Sequence, residues 1–167
     1  MIVRARAHPQ ADRLYGQILA VGPEWALIEK LDDGIYFDGW DVVRSTHITG
    51  LKPDFPDNPD YLARALAELP PPIVSKDLRE AVAGTGVDAL RAILASSGLV
   101  GIHIEKEDPG MLFVGRFDAT LRGSIGITDV DAQGRWNETS LMTFSAKEIT
   151  RVSVGGRYLD GLQRFAI

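Results

Sequence analysis

The sequence predicts a mainly β, α+β protein: two related small β-units joined by short helices. Three observations carry this expectation. Short apolar stretches separated by Gly, Pro and Asp turns occupy both ends of the chain. The middle changes to apolar spacings of three and four, the period of a helix. The two ends also align with each other when one is shifted by 99 residues. The predicted organisation is a first β-unit with a terminal helix over residues 1–69, a helical linker packed between units over 70–98, and a second β-unit with its own terminal helix over 99–167.

Composition bounds the function. A chain of 167 residues holds one domain or two very small ones. Eighteen Lys and Arg against 23 Asp and Glu leave a net charge of −5. Surfaces that neutralise nucleic-acid phosphates are usually basic, so nucleic acid is not the expected partner. The absence of cysteine excludes disulfides, thiolate metal sites and a cysteine nucleophile. Residues 1–8 lack the apolar core of a signal peptide, and no apolar run reaches membrane-spanning length. A soluble cytoplasmic protein is the expectation.

Taken in order, Ile2 to Ala7 alternates as a strand, and His8-Pro9-Gln10-Ala11-Asp12 turns the chain. Leu14–Val21 and Trp25–Leu31 follow as strands, the second apolar enough for burial on both faces. Asp32-Asp33-Gly34 suits a hairpin turn before a strand over Ile35–Arg44. Ser45-Thr46-His47 fits one short helical turn, and Ile48–Leu51 a brief fifth strand. After the proline-rich loop Pro53–Pro59, Asn58 caps a helix carrying Tyr61, Leu62, Ala65, Leu66 and Leu69, ended by three prolines at 70–72. Ser75 caps a second helix. Thr85 and Asp88 resemble a capping box for a third, with Val87, Leu90, Ile93 and Leu94 on its buried face.

Strands then resume over Leu99–Glu105, Met111–Thr120, Ser124–Val130 and Arg135–Phe144. Ser145-Ala146-Lys147-Glu148 has the signature of one capped turn before a strand over Ile149–Val154. The closing helix places Tyr158, Leu159, Leu162 and Phe165 on one face.

In the repeat, Val3-Arg4-Ala5 falls on Ile102-His103-Ile104, Gly16 on Gly115, Ile18 on Phe117 and Ile28 on Ile127. A two-residue insertion then brings Ile48-Thr49 onto Ile149-Thr150, and deleting the proline loop brings Tyr61-Leu62 onto Tyr158-Leu159. Trp40 and Trp136, each just past a glycine, take comparable places.

Gly39-Trp40-Asp41-Val42-Val43-Arg44 with Ile48-Thr49, and Thr143-Phe144-Ser145 with Glu148-Ile149-Thr150-Arg151-Val152, resemble uncharacterised bacterial proteins with Sm-like or SH3-like small β-barrels. The resemblance spans both ends and leaves out the central helices. It implies small barrels that assemble through edge strands, and RNA binding in many members. This chain departs from that pattern in its acidity, in lacking an Sm-type RNA pocket, and in a helix that follows the strands.

No catalytic, cofactor or metal site is expected. His8, His47 and His103 lack ligand spacing, and His103 with Glu105 is a pair on a strand rather than a site. Ser45-Thr46-His47 lacks an oriented third group. Asp54, Asp57 and Asp60, interleaved with prolines, form a solvated loop and not a calcium loop. Neither Gly84-Thr85-Gly86 nor Gly155-Gly156 matches a phosphate-binding motif. The candidate partner contacts are Trp40, Asp54, Phe55, Asp57, Asp60 and Trp136. The expected function is a non-enzymatic protein-interaction module, immunity-like or antitoxin-like in its concrete form. The alternative is an Sm-like barrel binding RNA or a small ligand. Exposed edge strands make a homodimer a further expectation.

Overall fold

Among the described residues, ten strands pair in one open antiparallel sheet, and four α-helices accompany it. The computed structural model describes residues 2–6, 11–33, 35–48, 50–53 and 59–167. The strands are β1 (Ile2–Arg6), β2 (Leu14–Val21), β3 (Trp25–Asp32), β4 (Tyr36–Arg44) and β5 (Gly50–Pro53), then β6 (Val100–His103), β7 (Phe113–Leu121), β8 (Ser124–Asp129), β9 (Met142–Ser145) and β10 (Arg151–Val154). The helices are α1 (Pro59–Glu68), α2 (Lys76–Val82), α3 (Gly86–Leu94) and α4 (Arg157–Phe165). Across the sheet the order is β5-β1-β2-β3-β4-β10-β6-β7-β8-β9. Each half thus places its fifth strand beside its first, and the halves meet where β10 pairs with β4. Among the described residues no ladder joins β4 to β5 or β9 to β10, so the sheet is continuous and neither half closes on itself.

Registers recur between the halves. Val3 pairs with Gly16 as Val100 pairs with Gly115. Ala26 pairs with Val43 as Ile125 pairs with Phe144. Leu51 pairs with Ala5 as Val152 pairs with Ile102. A register shift lies between Ile18 and Ala20 on β2, and again between Phe117 and Ala119 on β7. Beside it, a Cβ on Gly16 would lie 1.9 Å from the Glu29 carbonyl oxygen, and one on Gly115 would lie 2.4 Å from that of Thr128. Only glycine admits so close an approach of the neighbouring strand.

By ladder position, two residues fall elsewhere than in the sequence alignment. Val3 corresponds to Val100, not Ile102, because the connection after β6 is two residues longer than that after β1. Trp136 corresponds to Phe37, not Trp40: Val130 bridges Trp136 as Leu31 pairs with Phe37.

Local expectations fare unevenly. Ser75 caps α2 by accepting from the Leu78 amide. Thr85 makes no side-chain cap; instead the Gly86 amide donates to Glu24 Oε1, so the first turn of α3 is satisfied from the β2–β3 connection. The strand expected over Arg135–Phe144 begins only at Met142. Asp131 Oδ1 accepts from the Gln133 and Arg135 amides and holds a turn there, and the polar run 137–140 offers no apolar face. Ser45–His47 forms the expected short 3₁₀ turn, Ile48 lies outside the fifth strand, Thr49 lies outside the described residues, and β5 runs over Gly50–Pro53. The cap at Asn58 lies outside the described residues, as do His8, Asp54, Phe55 and Asp57.

The principal core lies on one face. Trp25, Leu27 and Val42 from the first half meet Ile102, Ile125 and Val152 from the second, covered by Leu78, Val82, Leu90 and Ile93 of α2 and α3. Helices α2 and α3 thus share one core with strands from both halves. The opposite face carries two smaller apolar groups. One is Leu14, Ile28 and Val43; the other is Leu99, Val114 and Val130 under Leu159 and Leu162 of α4. Between them runs a polar band along the seam.

A candidate site at the seam of the two halves

On β4, Val42 faces the principal core, so by strand alternation Asp41 and Val43 face the other way. The ladders then fix their neighbours. Asp41 lies opposite Ser153, and Val43 opposite Arg151, which in turn lies opposite His103 on β6. One face at the seam thus gathers Asp41, His103, Arg151 and Ser153, with Glu105 just past β6. All but Ser153 are buried, and Glu105 is wholly so.

Arg151 is the hub. Its Nη2 lies 2.9 Å from Glu105 Oε1 and its Nη1 lies 3.5 Å from Asp41 Oδ2. Nη2 is also 3.0 Å from His103 Nδ1. A guanidinium only donates, so Nδ1 is the acceptor and the imidazole proton sits on Nε2. From there Nε2 donates to Ser153 Oγ at 3.0 Å, and Ser153 donates to Asp41 Oδ1 at 2.5 Å. Thr150 completes the group: its hydroxyl accepts from the Glu105 amide and donates to Glu105 Oε2 at 2.9 Å.

The electrostatics follow from burial. His103 is pushed down to about 3, first because its charged form is desolvated and second because Arg151 repels it. It is therefore neutral at any physiological pH. Two buried carboxyl groups share the one guanidinium of Arg151. Serine next to histidine invites comparison with a nucleophile and its base. Here the imidazole donates to the serine, and its other nitrogen's lone pair is held by Arg151, so it has no lone pair left to take the Ser153 proton. The group orients strands; it is not poised for acyl transfer.

A second clamp crosses the seam. Arg44 Nε donates to the Ile149 carbonyl at 3.1 Å, and Nη2 donates to that of Ala146 at 2.9 Å. Its guanidinium lies 4.3 Å from the Trp25 ring centroid, and Glu24 is 3.5 Å away. Burial lowers the Arg44 pKa against the opposing charge of Glu24. Arg44 thereby ties the first half to the turn before β10.

Above the polar band opens a cleft of about 340 Å³. His103, Arg151 and Ser153 line it beside Met111, Leu112 and Tyr158. Its rim cation Lys30 is engaged at 2.9 Å by Asp38. Burial pushes the Asp38 carboxyl up, but Lys30 and the Arg157 amide and charge outweigh that and bring it below its ordinary value. No group of three or more metal-ligating side chains occurs among the described residues, and no helix there is long and apolar enough to cross a membrane.

Of the predicted contact residues, Trp40, Trp136 and Asp60 lie among the described residues. Trp40 is half-buried against Phe37, with ring centroids 4.7 Å apart. Trp136 packs half-buried beside the α4 cluster, with the Arg116 guanidinium 5.3 Å from its ring centroid. Asp60 is exposed in the first turn of α1. The seam residues Asp41, Arg44, Arg151 and Ser153 escaped sequence reasoning. The available signal was a charge at an inward strand position, as in Trp40-Asp41-Val42-Val43 and Thr150-Arg151-Val152. His103 with Glu105 was visible as a pair, but the arginine that joins them was not. No protein-family model, curated protein or solved structure matches the chain.

Proposed function

We propose that the chain is a non-enzymatic, cytoplasmic protein-interaction module built from two copies of an Sm-like or SH3-like five-stranded unit, acting through its edge strands. The observation that carries this is the β4–β10 pairing, in which the open edge of one unit is occupied by the fifth strand of the other. The recurring strand order, the shared register shift and the short turn before each fifth strand support two copies of one unit. The corresponding strands β9 and β5 stand at the two ends of the sheet. An extended segment binds such an edge through main-chain hydrogen bonds. A net charge of −5 favours a basic partner, and capture of a basic protein in an immunity-like or antitoxin-like manner is the concrete form.

The test is recovery of a tagged chain from its own cells. A basic protein should come down in stoichiometric amount, and Thr143→Pro on β9 should remove it. Thr143→Lys serves as a second variant that leaves the backbone amide in place. Recovery of nucleic acid instead, or a partner indifferent to both β9 variants, would overturn the edge reading.

The cleft favours a second reading, a small ligand held over the seam. Its volume suits a small molecule, and it sets apolar Met111 and Leu112 against polar His103 and Ser153. RNA fits less well, since two of the three cations lining the cleft, Arg151 and Lys30, are engaged by carboxylates and the chain carries a net charge of −5. Ligand-induced thermal stabilisation that Met111→Asp abolishes, with no effect on partner recovery, would favour this second reading.

A further inference from the structure

We propose that β9 of one copy pairs with β5 of another, antiparallel and in the register that joins β4 to β10 inside the chain, so that the protein assembles head to tail. The inference rests on the reading of the sheet ends as binding edges and adds a second occupant, another copy of the chain, which a basic partner on β9 would displace.

The internal seam is the template. By the recurring registers Val43 corresponds to Phe144, Val42 to Thr143 and Asp41 to Met142. Likewise Arg151 corresponds to Gly50, Val152 to Leu51 and Ser153 to Lys52. Inside the chain Val42 lies opposite Val152. Between copies, Thr143 therefore lies opposite Leu51, Phe144 opposite Gly50, and Met142 opposite Lys52. The two strands carry the means. Each has four residues, the length of β10. Leu51 is 47 % exposed, and Leu141, beside β9, is 42 % exposed. Among the described residues neither strand pairs on its outer side.

The same correspondence sets the strength of the joint. The polar lock of the internal seam is missing at the ends: Asp41 is replaced by Met142, Arg44 by Ser145 and Arg151 by Gly50. The joint between copies therefore relies on main-chain bonds and apolar contact alone, and dissociates on dilution while the internal seam stays shut. Because two different edges meet, the contact is heterologous and generates rings or open filaments rather than a two-fold dimer.

The chain has no cysteine, which makes the register directly testable by cross-linking. Directly opposed residues of an antiparallel pair bring Cα atoms within disulfide range. Copies carrying Thr143→Cys are mixed with copies carrying Leu51→Cys and oxidised. The expected product is a mixed disulfide at twice the 18.2 kDa chain mass, abundant in the mixture and absent from either variant alone. A copy bearing both changes should give a ladder. A mixture that stays monomeric, or a single variant that cross-links to itself, would overturn the proposal. If the chain stays monomeric while Thr143→Pro still removes a basic partner, self-pairing is refuted and the interaction reading stands. If Thr143→Pro removes nothing as well, both fall.

Discussion

Acidification should loosen the fold through His103, by an amount the structure sets. Its imidazole is buried and neutral, with a folded pKa of about 3 against an ordinary value of 6.5. Below that ordinary value the unfolded chain takes up a proton that the folded chain refuses. Stability is therefore fully present above neutrality and declines as pH falls from 6.5 towards 3. Each unit of pH in that window removes up to about 1.4 kcal/mol. Relative to neutral pH, the loss is about 1 kcal/mol at pH 5.5 and about 2 kcal/mol at pH 5. Carboxylates also begin to titrate there, so the readout is a difference between two proteins that share them. His103→Gln keeps a donor for Ser153 Oγ and cannot titrate. Urea denaturation of both proteins from pH 7.5 to 5 should show the wild type losing about 2 kcal/mol more than the variant. Imidazole NMR signals should report a proton on Nε2 throughout that range. A His103 that titrates near 6.5, or parallel stability curves, would refute the reasoning.

Other consequences test the same geometry. Arg151→Met leaves Asp41 and Glu105 buried without their shared cation, and should destabilise by about 3–5 kcal/mol in chemical denaturation. Adding Asp41→Asn should recover part of that loss, because a neutral amide replaces one of the two acidic groups that Arg151 served. Gly16→Ala and Gly115→Ala each drive a Cβ into the carbonyl of the neighbouring strand. Each should lower stability by about 1–3 kcal/mol, whereas Gly50→Ala, whose Cβ would meet nothing within 4 Å, should change it little. Equal losses at all three positions would contradict the shared close approach.

Much of the strand pattern was legible because alternation and turn chemistry are local. Trp25–Leu31 reads as a strand buried on both faces, and its residues are buried almost throughout. Ser75 reads as a cap and is one. The spacing of Gly16 and Gly115 is visible in sequence, but its reason lies on a neighbouring strand. The limits appear where partners are distant. Thr85 looks like a cap, yet Glu24, 62 residues earlier, takes the Gly86 amide. Trp136 looks like the counterpart of Trp40 because each lies within two residues of a glycine, yet by pairing it takes the place of Phe37. The seam was the least legible feature. Asp41 and Ser153 are 112 residues apart, and nothing local to either requires the other. Nor does periodicity distinguish two separate closed units from one sheet running through both, since that depends on which edge β10 chooses.

That choice is also the most direct test. Backbone NMR contacts between strands report it without any substitution. Cross-strand contacts should link Val42 to Val152 and Asp41 to Ser153, with β10 lying between β4 and β6. Contacts from β4 to β5, or from β9 to β10, in place of these would mean that each half closes on itself, and would contradict the continuous sheet and the seam built on it.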